Sequence, residues 1–531
     1  MFQSLRSAIL NQLHENIGVT MRTHILASAF LLLVVAVVAE AQLTPQNAAK
    51  GMARGINIGN TMEPPTEGTW GNPPVQQRAF DDYKNAGFTA VRIPITWDGH
   101  TSRTSPYTID STWLKRVEQV IDWGLQRGLL IIINAHHESW IKDSFTTTNV
   151  ARFDSIWSQV ASRFRNKSDS LMFEMINEPY PMLAGNVTRL NAQVLQLIRR
   201  TNPIRIVIFS GYMWSNSDEL VSAAIPDSSD HYLIGYYHSY DPYPFGLVGT
   251  GSYGSIADIN ATKAKFNQVS AWSTRNNIPV ILGEFGYIKV CEYNSRMCAY
   301  GTVVDQALSR GIPTFVWDDG GDFPMYNRTT GDFNEIKDIL IHTYPQSPNG
   351  LKISQGISHS VKIQWRNRNS ENDSIVIQRK VGTGSFVFVA KIAPTDSIFV
   401  DTSTSAGTAY YYRLSVMRTD SVELQSYPIT LTVSANSVSA QPVPVEFELS
   451  NNYPNPFNPT TLIRYAIPEY GMVTLKLYDA LGREMETMVN KAQQAGRYEV
   501  TVDGSHLPSG VYFYRLNSRG RSLTRKMSLV K

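Results

Sequence analysis

Leu171-Met172-Phe173-Glu174-Met175-Ile176-Asn177-Glu178-Pro179 is an apolar run that ends in a polar pair and a proline. Its length is that of a strand, and a proline at its end stops a sheet ladder from continuing. Pro279-Val280-Ile281-Leu282-Gly283-Glu284-Phe285-Gly286 repeats the design further along. Six more short runs belong with these two: Gly55–Ile58, Ala90–Ile93, Leu129–Ile133, Ile204–Phe209, Tyr232–Tyr237 and Pro313–Trp317. Between them lie stretches such as Ser111–Arg127, Asn149–Phe164 and Asn186–Arg200, whose apolar residues recur at helical spacing. Eight strands alternating with helices over about 300 residues predict an α/β fold, a (β/α)8 TIM barrel. An open doubly wound sheet is the alternative, but the Gly-rich phosphate turn is absent after the first run.

Beyond Pro345 the texture changes. Residues 346–434 alternate apolar and polar, as in Val361-Lys362-Ile363-Gln364-Trp365, with turn residues between. A small β-sandwich is expected there and a second one over 445–531, joined by a polar, Pro-bearing linker at 435–444. The barrel is assigned to 42–345. Residues 1–41 read as an N-terminal extension and a signal peptide: Ile25–Ala39 is apolar and Ala39-Glu40-Ala41 offers a cleavage pattern, with Met21 as the expected start. No stable membrane span is expected, because that run is short for a bilayer. The net charge of +3 on 531 residues, with no basic run, points to no nucleic acid. In an exported chain Cys291 and Cys298 can close a small disulfide loop; two free thiols are the alternative. They do not make a zinc site, so no metal and no cofactor is expected.

Barrel enzymes carry their chemistry at the C-terminal ends of the strands. The polar residues abutting the runs are Asn60, Arg92, Asn134, His136, His137, Asn177, Glu178, His238, Tyr240, Glu284, Trp317 and Asp318. Two carboxylates at the tips of different strands suit acid/base-plus-nucleophile cleavage of a glycosidic bond.

Gly55-Ile56-Asn57-Ile58-Gly59-Asn60, Val91-Arg92-Ile93-Pro94, Asn134-Ala135-His136-His137, Asn177-Glu178-Pro179, His238-Ser239-Tyr240 and Gly283-Glu284-Phe285-Gly286 resemble glycoside hydrolase family 5, nearest to its endo-β-1,4-glucanases. The resemblance implies Glu178 as general acid/base and Glu284 as nucleophile of a retaining double displacement, with carboxyl groups about 5–5.5 Å apart. It further implies that Asn177 binds the sugar 2-hydroxyl and that Arg92 and Tyr240 hold Glu284 ionised and aligned. His136 and His238 line the centre, His137 contacts substrate and Trp317 floors the sugar subsite. Asn60 and Glu63 match sugar contacts of members that accept both glucan and mannan. Glu174, inside its strand, is expected in an internal polar pair, and Asp318 and Asp319 depart from what often follows the eighth-strand tryptophan. Trp70, Trp97, Trp140, Trp214, Tyr212 and Tyr243 are further candidates for stacking on sugar rings.

Two other resemblances complete the chain. Tyr410–Val416 resembles the penultimate strand of a fibronectin type III module. The block from Val445 to Lys531, with Asn451-Asn452-Tyr453-Pro454 near its start, resembles the C-terminal sorting domains of type IX secretion cargo. Export machinery is thus an expected partner, and the location secreted or on the outer cell surface of a bacterium. The expectation is a monomeric secreted β-glycanase acting on internal β-1,4-glucosidic bonds of cellulose-like glucans. The alternatives are a β-1,4-mannanase, a mixed-linkage β-glucanase, or a non-catalytic polysaccharide-binding surface protein.

Overall fold

The computed structural model describes residues 42–368, 374–417, 423–434 and 446–531. The signal-peptide reading and the linker lie outside the described residues. Strands β1 (Arg54–Asn57), β2 (Ala90–Ile93), β3 (Leu130–Asn134), β4 (Leu171–Glu174), β5 (Val207–Phe209), β6 (Leu233–Ser239), β7 (Val280–Phe285) and β8 (Thr314–Val316) pair in sequence order. β8 returns in parallel to β1 and closes the barrel. β1, β2, β4, β5, β7 and β8 are buried at every position. Helices cover their outer face and side chains fill the interior, so these strands read as continuous apolar runs and do not alternate.

The intervening helices begin where side chains can satisfy free backbone N–H groups. Asp110 accepts from Thr112 and Trp113 at the head of Ser111–Leu125, and Thr146 caps Thr147–Phe164. Ser255 and Asp258 form a reciprocal capping box for Ile256–Asn276. Inside the barrel, Ala90, Ile132, Met172, Ile208, Ile234, Ile281 and Phe315 pack with Ala48 and Met52. Those two come from the helix Pro45–Gly51 and its end, just before β1, so they plug the mouth at the N-terminal ends of the strands. Gly55 makes room there: a Cβ on it would lie 2.4 Å from the Phe315 ring. The opposite mouth is left for polar residues.

The described chain forms two compact units. The first runs up to Lys352 and includes 364–398 and 410–430; the second comprises 353–363, 399–409 and 431–531. Past the barrel every strand belongs to a small sheet. β9 (Asn349–Gln355), β10 (Val361–Arg366), β11 (Ile375–Val381), β12 (Val387–Ile392), β13 (Ile398–Asp401), β14 (Ala409–Met417), β15 (Glu423–Gln425) and β16 (Ile429–Thr432) give the orders β13-β10-β9 and β12-β11-β14-β15, with β16 on β14. Both segments that follow β14 pair with it, β15 through the brief ladder from Ser415 to Met417 with Glu423–Gln425.

β17 (Glu448–Leu449), β18 (Thr460–Ile467), β19 (Gly471–Tyr478), β20 (Glu484–Gln493), β21 (Gly496–Asp503), β22 (Gly510–Ser518) and β23 (Arg521–Leu529) form sheets β17-β18-β21 and β20-β19-β22-β23. Alternate residues Val473, Leu475 and Leu477 of β19 and Tyr512, Tyr514 and Leu516 of β22 supply their core. The expected disulfide is not formed. Cys291 is buried with its Sγ 3.0 Å from the Phe245 carbonyl, while Cys298 sits within the helix Tyr293–Leu308, and both are free thiols. No helix among the described residues is long and apolar enough to cross a membrane.

Candidate active site

At the C-terminal mouth the barrel interior turns polar around one guanidinium. Arg92 is fully buried on β2. Its Nε and Nη2 donate to the two oxygens of Glu174, each at 2.6 Å. Nη1 donates to Asn57 Oδ1 at 2.9 Å and to Glu284 Oε1 at 2.6 Å, and Nη2 donates to Asn177 Oδ1 at 2.8 Å. All five N–H donors of the side chain are thereby used, which is what burying a guanidinium demands. Glu174 occupies the internal polar pair anticipated for it and also accepts from Asn134 Nδ2 at 2.9 Å.

Glu284 stands within β7 beside a bulge. Leu282 faces Tyr237 and Glu284 faces His238, so Gly283 is the extra residue. A bulge re-aims the side chains that follow it. A Cβ on Gly283 would lie 3.1 Å from His238 Nε2, and the Gly283 carbonyl accepts from Asn57 Nδ2 at 3.0 Å. Tyr240 Oη donates to Glu284 Oε2 at 2.9 Å. Glu178 lies beyond the end of β4 with φ +39, a left-handed conformation that costs a non-glycine residue energy and is common where a side chain must be aimed. The turn is held by Asn177 N donating to the Ala135 carbonyl and Tyr180 N donating to the Glu178 carbonyl. His238 Nδ1 is 2.8 Å from Glu178 Oε1 and 3.6 Å from Glu284 Oε2. Atoms of Glu178, His238 and Glu284 lie within 4.8 Å of one another.

Burial dominates the electrostatics. It pushes Glu178 up to about 7, against the pull of Lys142 and Arg92. Glu284 is also raised by burial, with His238, Arg92 and Tyr240 acting the other way. The arginine therefore offsets part of the desolvation of Glu284 and favours its ionised form. Burial lowers His238 to about 4, so its contact with Glu178 joins a neutral imidazole to a carboxyl and is not an ion pair. His136 is lowered well below its usual value, first by burial.

Around this centre, Trp317 follows β8 and its ring is nearly parallel to that of His136, 8° apart with centroids at 5.9 Å. His136 touches Asn134 Nδ2 through Nδ1 at 3.1 Å and Asn177 Nδ2 through Nε2 at 3.4 Å. His137 is exposed, edge-on to His136 and to Trp70. Trp70, Trp214 and Tyr243 are exposed, Trp214 being stacked on Tyr180 at 3.7 Å. Trp97 is not a platform: it is buried and its Nε1 donates to the Asn134 carbonyl at 2.9 Å. Trp140 is tied to Glu138 through its Nε1 and lies under Arg152.

Glu63 also departs from expectation. It is 1% exposed, and its carboxylate accepts from the backbone N–H of Asn60, Thr61 and Met62 at 2.8, 2.8 and 3.1 Å. Both oxygens organise the loop after β1, in which Asn60 is half-buried at φ +53. Glu63, His136 and His137 form the second group with ligand atoms within 4.8 Å, but the carboxylate oxygens there are already engaged.

Sequence reasoning missed Asn57, Glu138 and Lys142. Asn57 lies in the run Gly55–Ile58, where a polar residue inside an apolar strand was the available signal. Lys142, in the short helix Ser139–Asp143, donates to the His136 carbonyl at 2.7 Å. Its charge acts on Glu178, His137 and His238, and nothing in its sequence neighbourhood distinguishes it from a surface lysine.

Comparison with known proteins fits this geometry. Endoglucanase H of Acetivibrio thermocellus is 45% identical over 315 residues, covering 57% of this chain and 34% of its own length. The match thus spans about a third of that relative. Endoglucanase B of Clostridium cellulovorans is 33% identical over 316 residues, covering 55% of this chain and 72% of its own. A solved structure of Thermotoga maritima Cel5A with mannotriose superposes with a TM-score of 0.54 at 30% identity, covering 56% of this chain and all of that one. Residues 451–530 match the secretion system C-terminal sorting domain, which indicates export to the cell surface or the extracellular space. Residues 51–322, which hold every group described above, match cellulase, and the chain belongs to glycosyl hydrolase family 5.

Proposed function

We propose that this chain is a secreted, retaining β-glycanase that hydrolyses internal β-1,4-glucosidic bonds of cellulose-like glucans, with Glu178 as acid/base and Glu284 as nucleophile. The observation that carries the reading is the facing carboxyl pair, one member bound to Arg92 and Tyr240 and the other to His238 alone among these groups. Retaining glycosidases need two carboxyls close enough for direct attack on the anomeric carbon, and the spacing below 4.8 Å between their nearest atoms fits that requirement.

Glu178, whose affinity for a proton is raised by burial, acts in its protonated form and gives that proton to the glycosidic oxygen as the bond breaks. Glu284 attacks the anomeric carbon and forms a glycosyl-enzyme ester. Water then attacks the anomeric carbon, Glu178 takes the proton from water, and Glu284 leaves as carboxylate. Arg92 holds the Asn177 carbonyl oxygen and so fixes the amide, whose Nδ2 meets His136 Nε2 with one N–H and keeps the other for the sugar 2-hydroxyl. Stacking on Trp317 would bind the apolar face of the ring. The barrel is read as residues 42–345, with the β-modules at 346–434, fibronectin-like, and 445–531 serving display and export. Mannan is the second substrate to test, because Thermotoga maritima Cel5A has been solved with mannotriose.

Proton NMR of the first product from a cello-oligosaccharide tests the mechanism. The β-anomer is expected at early times; an α-anomer would overturn double displacement. Rates on carboxymethylcellulose, mixed-linkage glucan and mannan, measured side by side, decide the substrate.

A further inference from the structure

Two buried side chains far apart in sequence, Asn72 and Arg328, meet behind Trp317. Arg328 Nη1 donates to Asn72 Oδ1 at 3.0 Å, and Nη2 donates to the carbonyls of Gly59 at 3.1 Å and Asp318 at 2.7 Å. Asn72 Nδ2 faces the carbonyls of Gly59, Asn60 and Asp319 at 3.3, 3.2 and 2.7 Å. Four consecutive-pair carbonyls, two in the loop after β1 and two in the loop after β8, are thus gathered by one guanidinium and one amide. Gly59 N donates to the Asp318 carbonyl at 2.9 Å and completes the join.

Asp318, fully buried, turns its loop back onto this cluster. Its Oδ1 accepts from Met325 N at 2.9 Å and from Tyr326 N at 3.4 Å, and its Oδ2 lies 3.4 Å from Arg328. Gly320, at φ +68, leaves the space that the pair needs: a Cβ would stand 2.3 Å from Asn72 Oδ1 and 2.7 Å from Arg328 Nη1. At the cleft end, the Gly59 backbone abuts the Trp317 indole so closely that a Cβ would lie 2.7 Å from its Cζ2. The carbonyls clasped by Arg328 and Asn72 are those of Gly59 and Asn60, and of the two residues after Trp317. The clasp therefore fixes both neighbours of the indole edge without touching the open face of the ring.

We propose that Arg328 and Asn72 are positioning residues of the sugar site, a clasp that holds Trp317 and Asn60 as a preformed face for one pyranose ring of a β-linked glycan. This rests on the reading of Trp317 as the floor of that subsite. Preorganised platforms lower the cost of ordering on binding, and small misplacements at a reacting centre are expensive in rate.

A double-mutant cycle with Trp317 separates positioning from general stability. Arg328→Met is expected to lower kcat/KM on a soluble β-glucan by about 10- to 100-fold, the loss typical of a platform displaced by about 1 Å. In a Trp317→Ala background the same substitution is expected to cost less than about threefold, because its effect passes through the indole. The positions of both limbs of the pH profile are expected to stay where they are. Wild-type activity in Arg328→Met, or a loss that multiplies in full with that of Trp317→Ala, would overturn the proposal. Should Arg328→Met fail to fold by thermal melting and circular dichroism, Asn72→Ala enters the same cycle with the same two outcomes. Cellotetraose binding by calorimetry on catalytically disabled Glu284→Gln protein repeats the cycle without turnover. A chain that binds the sugar through the clasp yet cleaves no glucan or mannan would overturn the functional reading and leave the clasp standing.

Discussion

Glu284 is held by the sheet, and Glu178 by a loop. The first sits in a hydrogen-bonded strand, next to a bulge pinned by Asn57, with Arg92 on one oxygen and Tyr240 on the other. The second lies past the end of its strand in a left-handed backbone conformation, with the His238 imidazole at one oxygen. A group that must attack along one line gains from being over-determined by rigid elements. A group that gives a proton and takes one back gains from fewer fixed partners, since each bond to one protonation state penalises the other. The difference in scaffolding thus matches the difference in the roles proposed for them.

Substitution of each carboxyl is the strongest way to break the comparison. Glu284→Gln is expected to lower kcat by about 10⁴-fold or more on every substrate, since no other group can form the ester. Glu178→Gln is expected to cost about 10²- to 10⁴-fold on unactivated glucan but far less on an aryl cellobioside, whose leaving group departs without a proton. Steady-state rates on the two substrates check this. Equal losses for Glu178→Gln on both would remove the acid role.

Arg92 belongs wholly to the sheet-held side. Arg92→Met would leave Glu174 buried without its charged partner and free the carbonyl end of Asn177. Removing one member of a buried pair destabilises by about 3–5 kcal/mol. The variant is expected to show a lowered chemical-denaturation midpoint together with a large loss of kcat. An Arg92→Met protein as stable as the parent would mean that the hub is not structural.

The pH profile sharpens the loop-held side. Glu178 must be protonated to act, and burial sets it at about 7, so kcat/KM is expected to fall as pH rises through that value. The acid limb falls as Glu284 takes up a proton. Lys142 bears a positive charge that favours the carboxylate of Glu178. Arg92 acts in the same sense and Glu174 in the opposite one, while His238 and His136 stay neutral. Lys142→Met is therefore expected to move the alkaline limb to higher pH, and Lys142→Arg to leave it in place. An unmoved limb in Lys142→Met would remove the lysine from the electrostatics of the site.

What could be read from the chain follows a different line, nearness to a strand in the sequence. A buried parallel strand writes itself as a short apolar run, and both carboxylates stand beside one: Glu284 within β7 and Glu178 just past the end of β4. Groups brought in from distant parts of the loops were not legible. Asn72 and Arg328 are separated by most of the barrel, and only closure of β8 against β1 brings them together. Trp97 carries the same loop signature as Trp70, yet the carbonyl that receives its indole N–H turns it inward. Cys291 and Cys298 are near in sequence, but a helix and a backbone carbonyl direct their thiols to different places.

Glu63 yields the smallest effect on catalysis and the cleanest test of how a rim loop is made. A sugar contact there and a loop organiser predict opposite outcomes for Glu63→Gln. As an organiser, the carboxylate satisfies three backbone donors with two oxygens, and burial raises it to about 7. Glutamine keeps one oxygen and places an amide N–H₂ against donors that then find no acceptor. A buried unsatisfied donor costs about 1–3 kcal/mol, so the midpoint of thermal unfolding is expected to fall by several degrees. Because the side chain is closed off from the cleft, kcat/KM on glucan and on mannan is expected to stay within about threefold at temperatures well below that midpoint, as for a buried residue outside the reacting groups. A loss of mannan activity with unchanged melting would restore Glu63 as a sugar contact and place it among the groups that choose the substrate.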